Sequence, residues 1–170
     1  MNLDCGKCLV RDWRPSDKPA LLRVADNRRV WINLSHRFPH PYTGDDADAW
    51  FEMLAGQAPP LHWAIEVDGA AAGGIGIDPG EGIFSKCARF GYWLGEPYWG
   101  RGIMSAAVRA TADHIFDTMD YARLEAPVFE WNPPSMRVLE KGGFVREGLM
   151  RKSVFKDGKI IDAMLYARVR

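Results

Sequence analysis

The stretch from residue 87 to residue 129 restricts the fold more than any other. CARFGYWLG (87–95) reads as a strand and RLEAPVF (123–129) as a second one. Between them, Met104 to Met119 reads as a helix, with Met104, Val108, Ile115 and Met119 on one stripe. A strand, a long helix and a second strand of the same sheet make a crossover, and a crossover joins parallel neighbours. The flanking segments predict antiparallel pairing instead. LHWAIEVDGAAAGGIGI places two apolar runs around Asp68-Gly69, and the tail places two more around Asp157-Gly158. Asp-Gly suits the tight primed turn of a hairpin.

The remaining elements follow from local signals. CLVRDWRP reads as a first strand, and Ser16 and Asp17 offer caps for a helix running to about Asp26. NLSHRFPHPYT is irregular, polar and aromatic. Asp45 to Leu54 reads as a helix with acids in its first turn, ended by APP, and SMRVLEKGGF as another with a glycine stop. The expected fold is mixed α/β (α+β). It has a mostly antiparallel sheet with one central parallel pair and helices on both faces. Parallel neighbours of that kind can splay at one end and leave a cleft.

Length and charge narrow the function classes. A chain of 170 residues is the size of one domain, so residues 1–170 are expected to form a single one. No apolar run approaches the roughly 18 residues of a membrane span, and MNLDCGKCLVRDWRP has no apolar signal core. The expectation is a soluble, cytoplasmic protein. Net charge is zero, which argues against broad nucleic-acid or membrane-surface binding. Residues 100–170 carry a small basic excess that suits an anionic ligand. The cysteines, Cys5, Cys8 and Cys87, are expected to be reduced. Cys5-Gly-Lys-Cys8 has C-x-x-C spacing, but a redox pair of that type usually opens a helix and zinc needs two further ligands, so it reads as structural and no metal is expected.

The chemistry concentrates where the strand gives way to the helix, at YWGRGIMS. A helix start presents unpaired N–H groups and partial positive charge. Gly100 and Gly102 clear side chains from its approach, and Arg101 adds a cation. Such a turn can seat an anionic phosphate group. It equally suits plain punctuation, and it lacks the full nucleotide triphosphatase loop.

GYWLGEPYWGRGIMSAA resembles the acyl-CoA-binding motif of the GNAT superfamily of N-acetyltransferases. NPPSMRVLEKGGF (132–144) resembles that superfamily's second hallmark, Asn-x-x-Ser followed by V-L-E-K-x-G-F. The pair is most similar to the Rim-type, ribosomal-protein N-terminal acetyltransferase-like branch. LVRDWRPSD, HWAIEVDGAAAGGIGI and DGKIIDAMLYARV extend the likeness over nearly the whole chain. Trp99 and Met104 depart from the commonest signature, the first in a way Rim-type members share.

The resemblance implies acetyl-CoA as co-substrate and the acyl-CoA N-acyltransferase fold, with the splayed pair forming the cofactor cleft. It puts the pantetheine arm along the backbone of Tyr92, Trp93 and Leu94, and the pyrophosphate on Gly100, Arg101, Gly102, Ile103, Met104 and Ser105. It makes Asn132 a contact of the pantetheine amides and Ser135 the candidate acid for the departing thiolate. Read locally, Ser135 is instead a helix N-cap and Asn132 a turn residue. Arg137 and Lys141 read as a solvated helix face. His36, His40 and Tyr42 are candidates for acceptor recognition, because their segment matches the family's acceptor cover. Glu66, Asp78, Glu81, His36 and His40 are candidate bases, and His62 and His114 read as structural.

The implied reaction is transfer of acetyl to a primary amine, a protein N-terminus or a small molecule, by direct attack in a ternary complex. No cysteine nucleophile is required. An antibiotic (aminoglycoside-type) acetyltransferase and a non-catalytic acyl-CoA sensor remain as alternatives. An exposed sheet edge leaves a homodimer open.

Overall fold

The computed structural model describes residues 1–170. In chain order the elements are β1 (Asn2–Asp4), β2 (Leu9–Asp12), α1 (Lys18–Ala25), α2 (Arg28–Trp31), α3 (Gly44–Ala55), β3 (His62–Val67), β4 (Ala70–Pro79), β5 (Cys87–Leu94), α4 (Ile103–Thr118), β6 (Arg123–Phe129), α5 (Pro133–Lys141), β7 (Val145–Lys156) and β8 (Lys159–Val169). The eight strands form one sheet in the order β1-β2-β3-β4-β5-β6-β8-β7. β5 and β6 pair in parallel, with Cys87 opposite Arg123 and Arg89 opposite Glu125. The other registers are antiparallel. A mixed, mostly antiparallel sheet with one parallel pair is what the crossover and the Asp-Gly hairpins predict.

Two elements went unread in the sequence. β1 forms a small hairpin with β2, and α2 is a single turn between the first expected helix and the irregular segment at 33–43. Both are too short to leave a periodicity.

The chain divides into two compact units. The first comprises Met1–Gly76 and Tyr92–Ala107. Its helices pack Leu21, Ala25, Tyr42 and Ala47 together with Trp13, Phe38, Trp50, Phe51 and Trp93. In the same unit Arg11, only 2% exposed, donates to both oxygens of Asp17 at 2.7 and 2.8 Å and to Glu66 at 2.5 Å. Burial pushes the Asp17 carboxyl up, but the Arg11 hydrogen bonds and the Arg14 N–H outweigh it, so Asp17 lies below the usual carboxylate range. A buried cation with two carboxylates is stable only while all three remain, and removing one partner costs about 3–5 kcal/mol.

The run of small residues in β4 has a packing cause. A Cβ on Gly73 would lie 2.2 Å from the Trp93 carbonyl and 2.9 Å from the Leu94 Cα. The end of β5 therefore lies directly on the β4 backbone, and only glycine fits beneath it.

The second unit comprises Ile77–Gly91 and Val108–Arg170. Ile115, Leu124, Leu139 and Tyr166 are fully buried in it, and Phe90 stacks on Phe144 at 5.4 Å. The C-terminus of α5 is held by cations: Arg109 donates to the Lys141 carbonyl and Arg168 to the Gly142 carbonyl, as an unsatisfied helix end requires.

Candidate functional site

The turn before α4 is built for close approach to backbone. Gly100 and Gly102 both have φ of 75°, a region open to glycine and strained for other residues. A Cβ on Gly100 would meet nothing within 4 Å, and one on Gly102 would meet only the tip of Lys7. Gly102 stands at the cap position without a side chain to fill it. Backbone bonding at this end includes the Ala106 N–H donating to the Gly102 carbonyl at 3.3 Å. The N–H groups of Ile103, Met104 and Ser105 lie one turn earlier, where a helix supplies no acceptor.

Three ties hold this turn in shape. The Trp99 indole N–H donates to the Leu94 carbonyl at 2.7 Å, folding residues 94–99 into a closed loop. Glu96 accepts from the Asn27 side chain at 2.9 Å and pairs with Arg29, whose guanidinium also lies over the Trp99 ring. Lys7, from the β1–β2 turn, donates to the Arg101 carbonyl at 3.0 Å. Trp99 thus has a clear local reason to stand where the family signature usually has another residue. Met104 is buried at 8% exposure, so its side chain belongs to the core and its N–H to the turn.

Tyr92, Trp93 and Leu94 form the end of β5. The Trp93 side chain is structural: its ring meets Phe38 edge-on at 5.1 Å and joins the core layer. What this strand can offer a ligand is backbone.

In the second unit, Asn132 is the cap of α5. Its side-chain oxygen accepts from the Ser135 N–H at 3.3 Å, and Pro133 opens the helix. This corrects the local reading that made Ser135 the cap. Pro133-Pro134 presets the first turn, so the capping acceptor must come from the residue before it. Ser135 is half-buried one turn in, and Arg137 and Lys141 are exposed as expected.

The remaining candidates separate by environment. Glu66 is committed to Arg11, which removes it from the list of bases. The His40 ring nitrogen Nδ1 lies 3.3 Å from Asp26, and the ring faces Trp31 at 5.6 Å. Asp26 also accepts from the Tyr42 N–H, so it fixes the backbone beside His40 as well. Tyr42 is buried against Phe38, and burial raises its hydroxyl to about 12. His36 and Glu81 are exposed, and Asp78 is half-buried. His62 is held by Gln57 at 2.9 Å and by Trp50, in keeping with a structural role.

Sequence reasoning missed Lys7. Its partner lies 94 residues away, and a lysine in a short hairpin turn carries no signal of it.

Known proteins share this architecture. The family model of the acetyltransferase (GNAT) domain matches residues 7–145. The L-amino acid N-acetyltransferase AaaT of Escherichia coli is 28% identical over 166 residues, covering 97% of this chain and 99% of that protein. The probable N-acetyltransferase YjcK of Bacillus subtilis is 46% identical over 73 residues, 43% of this chain and 40% of that one. Several curated relatives are likewise matched over about half their length. The structure of Mycobacterium smegmatis RimJ in complex with CoA-disulfide superposes with a TM-score of 0.85 at 27% identity, covering 99% of this chain and 86% of that one. The Rim-type resemblance therefore has a counterpart in three dimensions, and the chain belongs to the GNAT acetyltransferase family.

Proposed function

We propose that this protein transfers an acetyl group from acetyl-CoA to a primary amine. One observation carries the reading: the chain opens the start of α4 with two left-handed glycines, then ties that opening down at Trp99, Glu96 and Lys7. A fixed set of amide donors at a helix start is an anion site that needs no reorganisation to bind. Residues Gly100–Ser105 would hold the pyrophosphate, with Arg101 adding charge. The backbone of Tyr92–Leu94 would line the pantetheine arm.

Acetyl-CoA supplies a thioester that a neutral amine can attack directly. A backbone N–H of Tyr92–Leu94 would donate to the oxyanion that forms, worth about 10²–10³ in rate for one such donor. Ser135 would protonate the departing sulfur. With its oxygen used as a cap, Asn132 would donate through its amide N–H to a pantetheine carbonyl. His40, whose ring is oriented by Asp26, is the base that its surroundings favour. Tyr42 would support the acceptor region by packing.

The name of AaaT, an L-amino acid N-acetyltransferase matched over 99% of its length, supports a small amino-acid amine as acceptor, and that of the ribosomal-protein-serine acetyltransferase of Escherichia coli, matched over 48% of its length, supports a protein amine. Thiol release from acetyl-CoA over a panel of amino acids, N-terminal peptides and aminoglycosides tests the proposal. Turnover with one of these classes supports it. Tight acetyl-CoA binding without release on any acceptor would replace the enzyme by a sensor.

A further inference from the structure

Cys5 and Cys8 flank the two-residue turn between β1 and β2. The pairing of Asp4 with Leu9 continues to them, and the Cys5 N–H donates to the Cys8 carbonyl at 2.9 Å. Residues that face each other in a hydrogen-bonded antiparallel pair have Cα atoms about 5.5 Å apart, within the span of a disulfide. Both thiols are free, with Cys5 half-buried and Cys8 buried. Hydrogen bonding from Cys8 holds the Cys5 thiol below its usual range, and the same pairing together with burial pushes Cys8 up. Cys5 is also the more exposed of the two, so an external disulfide reaches it first: it is the attacking thiol and the buried Cys8 the resolving one.

The turn bearing this pair is fastened to the start of α4. Lys7, between the two cysteines, donates to the Arg101 carbonyl at 3.0 Å, and the Cys8 thiol points at the Ile103 carbonyl at 4.0 Å. Lys7 is also the group that a Cβ on Gly102 would strike, at 3.0 Å. No third ligand that could make this a metal site stands beside the pair.

We propose that Cys5 and Cys8 form a reversible dithiol–disulfide switch that sets the affinity of the α4 turn for acetyl-CoA. The coupling rests on the assignment of that turn as the pyrophosphate seat. A low-molecular-weight disulfide such as oxidised glutathione is the oxidant. The Cys5 thiolate attacks one of its sulfurs, forming a mixed disulfide and releasing one glutathione thiolate. Cys8, deprotonated, attacks the Cys5 sulfur, closes the protein disulfide and releases the second. Two electrons leave the dithiol, two glutathione thiolates leave, and the two protons from the cysteines go to them. To close the bond, the Cys8 sulfur turns away from the Ile103 carbonyl and loses its proton. The Gly6-Lys7 turn tightens, and Lys7 is drawn from Arg101. Reduction restores both ties.

The test uses the full chain in glutathione buffers stepped from reduced to oxidised. Intact mass and peptide mapping follow the bond, calorimetry follows acetyl-CoA, and hydrogen exchange follows the amides of residues 101–105. The expected result is loss of two hydrogens mapped to Cys5–Cys8, about tenfold weaker acetyl-CoA binding and faster exchange at the turn. All three changes should reverse with reductant and be absent in Cys5→Ser. A mass that never changes, a persistent glutathione adduct, or a disulfide that alters neither binding nor exchange would overturn the switch. If the reduced protein does not bind acetyl-CoA, the proposed function fails instead, and exchange at the turn still decides whether the thiols control it.

Discussion

Two helix starts in this chain are finished in opposite ways. At α5, Asn132 caps the helix through its side-chain oxygen, and Pro133 and Pro134 carry no N–H at all. At α4, a side-chain-free Gly102 stands at the cap position and two left-handed glycines clear the approach. The first helix has used or removed its donors, whereas the residue before the second has no side chain with which to cap them. α3 resembles α5: Thr43 and Asp46 close its start with a reciprocal capping box. A helix start whose cap position is glycine gains nothing from a capping side chain, and the chain holds this one from outside through Trp99, Glu96 and Lys7. The difference sets how each helix can act. α4 works through backbone, whereas α5 can work only through its side chains Asn132 and Ser135.

That contrast can be broken by substitution. Ser135→Ala should lower kcat by about 100-fold with acetyl-CoA affinity unchanged, because a side chain rather than an amide is lost. Steady-state kinetics beside calorimetry separates the two, and unaffected turnover would move the acid elsewhere. Asn132→Ala should cost about 1 kcal/mol of stability by removing a cap, read as a lower urea midpoint. It should also weaken acetyl-CoA binding. The same loss of stability with unchanged binding would make Asn132 a cap alone. Thr43→Ala removes the cap of a start with no proposed ligand. It should cost about 1 kcal/mol in stability and leave kcat/KM as it was. The smallest effect sharpens the comparison by pH. Hydrogen bonding to Thr43 lowers the Asp46 pKa from 3.8. A depressed carboxylate contributes stability above its unfolded value and loses that contribution as pH falls through the lowered folded value. Asp46→Asn should flatten the stability profile below about pH 4, where the wild type falls.

Regular structure is largely legible in the sequence. RLEAPVF occupies residues 123–129 of β6, and the helix read from Met104 to Met119 is observed at Ile103–Thr118. Both Asp-Gly turns have positive φ at each residue, 51° and 79° at 68–69 and 50° and 74° at 157–158, as primed turns require. These features depend on a few neighbouring residues. The glycine turn was legible as a turn, and its family likeness supplied a ligand. Its rigidity was not legible, because Lys7, Asn27 and Arg29 reach it from 67 to 94 positions away. Glu66 stands among the five candidate bases for the same reason: nothing local announces that Arg11 pairs with it, 55 residues distant. Asn132 was assigned to a turn because two prolines obscured where the helix begins.

The most direct test is calorimetric titration of acetyl-CoA into the reduced wild type and Gly102→Glu. Glutamate at φ of 75° adds strain, bulk and negative charge where the phosphates would sit. Loss of one or two charge-assisted hydrogen bonds predicts about 100-fold weaker binding. Equal affinity in the two proteins, both folded, would contradict the assignment of the α4 start as the acetyl-CoA site.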